Sequence, residues 1–147
     1  MITATGLLRW QFQLVHELLE GAVARLPVDA PRPRARYAQV VLCEDLTVGA
    51  GLAGTVPLAL ASWAGHTGLS ELPPLAARTD WLAWEGRVRV DLAALRVYAQ
   101  AVYAMTDAFL AELPDDALDP SRGDGLICLL SGLLVTLSAR RGELVRA

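Results

Sequence analysis

Leu8, Phe12, Val15, Leu19, Ala22 and Leu26 recur at alternating steps of four and three, the spacing that lines one side of a helix packed against others. Arg9, Gln13, His16 and Glu20 form a polar stripe beside that seam, so His16 is expected among solvated residues. Pro27 stops this first helix, because proline offers no N–H to the ladder. Pro31-Arg32-Pro33 reads as a turn, with a second helix opening near Arg34. Val40, Val41, Leu42, Leu46 and Val48 occupy most of its circumference, which predicts burial on several sides. Gly49, Gly51 and Gly54 weaken its end, at roughly 1 kcal/mol each.

The seam logic returns at Leu92, Leu95, Ala99, Val102, Thr106, Phe109 and Leu113, and Pro114 closes that third helix. Asp115-Asp116-Ala117-Leu118 reads as a short helical turn, and Asp124 as the N-cap of a fourth helix. The fourth seam is Leu126, Leu130, Leu133, Leu137, Arg140 and Leu144, in which Arg140 stands where a leucine is expected. Between residues 54 and 86 no period is visible, and Pro57, Trp63, His66, Pro73, Pro74, Trp81 and Trp84 punctuate the stretch. A connection of that length lets the third helix run parallel to the second, where a short turn forces an antiparallel neighbour. Trp81 and Trp84 suit either a pocket lid or, more commonly, the packing of this crossover onto the core.

Composition narrows the class. A chain of 147 residues, 54% hydrophobic and 20% charged, fits one globular domain spanning 1–147 and excludes a disordered tail protein. The formal net charge of −3, with arginines and acids interspersed, lacks the basic field that nucleic-acid binding requires. The uncharged run from Leu46 to Ser70 contains five glycines and Pro57, which argues against a membrane-spanning helix. No signal-peptide layout is visible at the start, and Cys43 and Cys128 lie in apolar helical stretches as expected of buried thiols in a reducing compartment; a disulfide between them is the lesser alternative. A cytoplasmic location is expected. No nucleophile elbow, phosphate loop, CxxC pair or dinucleotide fingerprint is present.

Three segments carry a family resemblance. Tyr37-Ala38-Gln39 followed by Glu44-Asp45, the stretch from Asp91 to Asp119, and Thr136-Leu137-Ser138-Ala139-Arg140-Arg141-Gly142-Glu143 resemble, in order and spacing, the DinB/YfiT-like family. That resemblance implies an all-α four-helix bundle, up-down-down-up, with a long crossover between helices 2 and 3, and a homodimer. It also implies a divalent metal held by three histidines, at the positions that Gln39, Thr136 and Arg140 occupy here. Gln39 offers only a weak amide oxygen, Thr136 is a poor ligand, and Arg140 is a permanent cation. The expectation is therefore no metal and no cofactor.

What replaces the metal is open at this level. Arg140, turned inward, is expected to pair with a carboxylate of the second helix, Glu44 before Asp45, with Glu143 on its own helix a lesser choice. Alternatively it lines a cavity and binds a small anionic ligand, or it reaches solvent near the C-terminus. Cys43, one turn after Gln39, has no histidine beside it to act as a base. The function expected is that of a metal-free, non-catalytic small-molecule-binding or structural protein, with no nucleic acid and no membrane among its partners. The alternative is a divergent enzyme like the family's metal-dependent hydrolases or thiol-dependent transferases and isomerases.

Overall fold

The computed structural model describes residues 2–74 and 80–146. It is all-helical, with α1 at Ala4–Ala24, α2 at Pro31–Glu44, α3 at Trp81–Arg87, α4 at Leu92–Ala111 and α5 at Leu126–Val145. Among the described residues extended pairing is limited to one isolated bridge, between Leu69 and Val90. No described helix is long and apolar enough to cross a membrane. A single hydrophobic cluster draws on all five helices, and Leu19, Val48, Val102 and Leu133 all lie in it.

The proline-rich stretch after α1 is helix, not turn. Pro31 begins α2, where its fixed φ suits the first turn and its missing N–H would have no helical partner. α2 does not stop at its glycines but widens into a π-helical segment, Asp45–Leu52, which ends beside Gly54 at φ +66°. Both Glu44 and Asp45 at that junction are fully buried.

α1 and α2 each pack on α4 and on α5. Arg9 reaches Asp107 while Glu20 reaches Gln100 and Arg96, so α1 and α4 run in opposite directions. Glu20 meets Tyr37 and His16 meets Glu44, so α1 also opposes α2.

The crossover is tied down along its length. Asp45 accepts the N–H groups of Leu58 and Ala59, both at 2.9 Å, where a 3-10 turn, Leu58–Leu60, begins. Gly68 sits at φ +82° against α4, and a Cβ there would lie 2.6 Å from the Asp91 carbonyl oxygen, so no other residue fits. The Trp84 indole donates to the Glu71 carbonyl oxygen at 2.9 Å and is fully buried, and Trp81 donates to that of Pro74 at 3.0 Å. These tryptophans pack the crossover down.

Residues 115–118 form the short turn expected, with Ala117 and Leu118 buried. Two local expectations change. Asp124 accepts the Leu126 N–H at 3.1 Å, but the N-cap position itself belongs to Gly125 at φ +67°. Cys128 is exposed and Cys43 half-buried.

Candidate functional site

Arg36, Gln39 and Cys43 follow steps of three and four, which align them along one face of α2. Leu133, Thr136, Leu137 and Arg140 do the same on α5. Where the two faces meet, a pocket of about 270 Å³ is lined by Gln39, Val40, Cys43, Trp81, Leu133, Thr136, Leu137 and Arg140. Gln39, Thr136 and Arg140 are thus neighbours in space, with Cys43 and Trp81 beside them. A second cleft shares Gln39 and Arg140 and adds Arg36, Leu82, Glu85 and Glu143.

Arg140 does not meet Glu44. It is exposed and donates through Nη1 to both oxygens of Glu143, at 3.2 and 2.9 Å. The helical repeat explains this: after Leu137 the buried face continues through half-buried Arg141 to Leu144, a step of four and then three. Position 140 therefore lies on the pocket rim rather than in the seam. Glu44 and Asp45 point into the interior on the α1 and α4 side, away from the pocket, and Trp84 is buried without lining it. Glu143 belongs to the rim as the partner of Arg140.

Glu85, which sequence reasoning passed over, pins α3 onto α2 at this rim. Its carboxylate accepts from Arg36 Nε at 3.2 Å and from Gln39 Nε2 at 3.4 Å. Its place one residue after Trp84 was the available signal, since α3 must present a polar edge once both tryptophans turn inward.

The donor set does not fit a transition metal. Gln39 has its amide N–H toward Glu85, Thr136 donates its hydroxyl to the Gly132 carbonyl oxygen at 3.0 Å, and Arg140 carries a fixed positive charge. Among the described residues no group of three or more histidine, cysteine, aspartate or glutamate side chains is placed to hold a metal ion.

A different polar constellation sits between α1 and α4, and its histidine was expected at the surface. His16 is only 7% exposed. Its Nε2 lies 2.7 Å from Glu44 Oε1, and the Thr106 hydroxyl donates to Glu44 Oε2 at 3.0 Å. Position 16 lies four residues after Phe12 and three before Leu19, at the edge of the arc that the seam buries. The fully buried Glu44 carboxylate needs donors, and His16 and Thr106 supply them.

The ring of Tyr103 stacks on His16, with centroids 4.0 Å apart. Tyr37 and Tyr103 both donate to Glu20 Oε2, while Arg96 and Gln100 reach Glu20 Oε1. Burial, reinforced by carboxylates, raises the pKa of Tyr37, Tyr98 and Tyr103 far above the usual phenol range. Asp107 is held below the usual carboxylate range, chiefly by its hydrogen bonds from Arg9. Comparison with known proteins finds no matching family model, no matching curated protein and no matching solved structure.

Proposed function

We propose that the chain is a metal-free, DinB/YfiT-like four-helix bundle that binds a small molecule with an apolar body and an anionic end in the pocket between α2 and α5. One observation carries this reading: Gln39, Thr136 and Arg140, distant in sequence, line the same pocket, walled by Val40, Leu133, Leu137 and Trp81. Arg140 stands at its edge, held by the partly exposed Glu143, and Arg36, in the adjoining cleft, is held by the largely buried Glu85. A ligand carboxylate exchanges with Glu143 for Arg140 at little cost, because an exposed pair of this kind contributes only about 0–1 kcal/mol. The bundle reading is supported by the order of the cross-links. α1 opposes both α2 and α4, so α2 and α4 share a direction, as an up-down-down-up arrangement with a long crossover requires.

Benzoate and hexanoate are suitable probes, with tryptophan fluorescence reporting through Trp81. A saturable change that is lost in Arg140→Gln supports the pocket. No saturable change, or one that Arg140→Gln leaves intact, overturns it. Cys43 in the same pocket favours a thiol-dependent transferase as the second reading, which requires that alkylation of Cys43 be blocked by the same ligand.

A homodimer fits a second feature. Leu7, Trp10, Leu14 and Leu18 are exposed at steps of three and four along α1, on a flank beside its core seam, and Trp10 is 57% exposed. We place the protein in the cytoplasm, in line with the absence of a described membrane-crossing helix.

A further inference from the structure

We propose that the cleft between α1 and α4 is a second ligand site, separate from the α2–α5 pocket, which takes a small organic ammonium ion through His16 Nδ1 and Glu17. The cleft holds about 500 Å³ and is lined by His16, Glu17, Glu20, Tyr103 and Asp107, together with Gln13 and Gln100.

The histidine sets the chemistry. Glu44 is a buried carboxylate that accepts from Thr106 on one oxygen and meets His16 Nε2 on the other. An acceptor on that side makes Nε2 the donor, which leaves Nδ1 as a lone-pair acceptor in the neutral ring. The His16 side chain is 9% exposed, and Nδ1 has no hydrogen-bond partner among the described residues. A side chain more than nine-tenths buried therefore keeps one acceptor open on the cleft it lines. Glu44 positions the ring, and the stacked Tyr103 fixes its plane.

The rest of the cleft wants the same kind of ligand. Tyr103 donates its hydroxyl to Glu20, and Gln13 and Gln100 each commit one amide N–H, to Asp107 and Glu20. Among the described residues no arginine or lysine lines it, and the flanking Arg9 and Arg96 are tied to Asp107 and Glu20. The acceptors that remain are His16 Nδ1, the Glu17 carboxylate and the two amide oxygens. An anion finds no cationic partner among the described lining residues, and it faces the carboxylates of Glu17, Glu20 and Asp107. A primary ammonium brings three N–H donors and the charge that Glu17 calls for.

Butylammonium, titrated at about pH 8, tests the site by nitrogen NMR of the His16 ring. The expected result is a saturable displacement of the Nδ1 resonance, with no displacement by butyrate. Glu17 is exposed, so Glu17→Gln should keep the fold, as its amide spectrum away from the cleft will show, and should weaken butylammonium about tenfold, or about 1.4 kcal/mol. No saturable displacement, an equal response to butyrate, or an undiminished affinity in Glu17→Gln overturns the proposal. Because the readout is at His16, failure here leaves the carboxylate pocket at Arg140 untouched.

Discussion

Tyr98 donates its hydroxyl to Asp45 Oδ2 at 2.6 Å, and neither residue has exposed surface. The same carboxylate holds the Leu58 and Ala59 amides, so one buried acid joins the end of α2, the start of the crossover and the middle of α4. A hydrogen bond to a charged group typically contributes about 1.5–3 kcal/mol, and Tyr98→Phe should cost that much in denaturant unfolding. Amide exchange at Leu58 and Ala59 should also quicken, because Asp45 loses the contact that fixes its orientation. A loss under about 0.5 kcal/mol would mean that the clamp does not need Tyr98.

Alkaline titration should show the three tyrosines ionising together. Each of Tyr37, Tyr98 and Tyr103 has its pKa raised first by burial, and each has a carboxylate nearby that raises it further. In the unfolded chain they titrate near pH ~10. The neutral phenols therefore favour the folded state fully below that value, and the contribution is lost as pH climbs above it. Tyrosinate absorbance should stay flat through about pH 10 and then rise in one step, coincident with loss of helical circular dichroism. A separate early phase would show one phenol reaching solvent in the native fold.

The acid side is governed differently. Arg9 grips Asp107 through two hydrogen bonds, at 2.7 and 2.8 Å, and lowers its pKa. The unfolded aspartate titrates near pH ~3.9, so this stabilisation is fully present above that pH and is lost as pH falls through the lower folded value. Both side chains are partly exposed, so solvent screening keeps the contribution small. Asp107→Asn should destabilise slightly at neutral pH and converge with the parent chain as pH falls below the lowered folded value. Thermal unfolding across the range checks it.

The helical periodicity of this chain announced its elements well, since Leu8, Phe12, Leu19, Leu95, Val102, Leu130 and Leu137 are all buried as their spacing predicts. It was less able to say which polar residues join them. His16 and Arg140 sit at equally ambiguous edges of their seams, and the outcomes are opposite. Glu44, on the facing helix and 28 residues away in sequence, draws His16 in, whereas Glu143, one turn further along the same helix, holds Arg140 out. Only the second of these partners is visible in the local sequence. Gln39, Thr136 and Arg140 do line one pocket, but the crowding of Glu85 against Gln39 depends on how α3 docks, and residues 54–86 carry no period that would show it.

Arg140→Leu should be nearly neutral, within about 0.5 kcal/mol, because it removes an exposed pair at i, i+3 and strands no buried charge. A double-mutant cycle between Arg140 and Glu44 should give no coupling, since Glu44 is occupied by His16 and Thr106. The contrasting change is His16→Leu, which leaves the buried Glu44 with only Thr106. Breaking a buried pair in that way costs about 3–5 kcal/mol. If Arg140→Leu were the more damaging of the two, the division between rim and core drawn here would be reversed.

The exposed stripe on α1 makes a prediction about assembly. Leu7, Trp10, Leu14 and Leu18 span about 17 Å of helix, enough for a seam against a second copy of α1. None of the four belongs to the core cluster, so changing them should alter association without disturbing the fold. Trp10→Glu places a carboxylate in the centre of that stripe and, across a twofold axis, opposes it to its own copy. Light scattering should report a dimer for the parent chain and a monomer for Trp10→Glu, with equal helical circular dichroism. A parent chain that stays monomeric as its concentration is raised would sink the dimer. A dimer that survives Trp10→Glu would move the interface off α1.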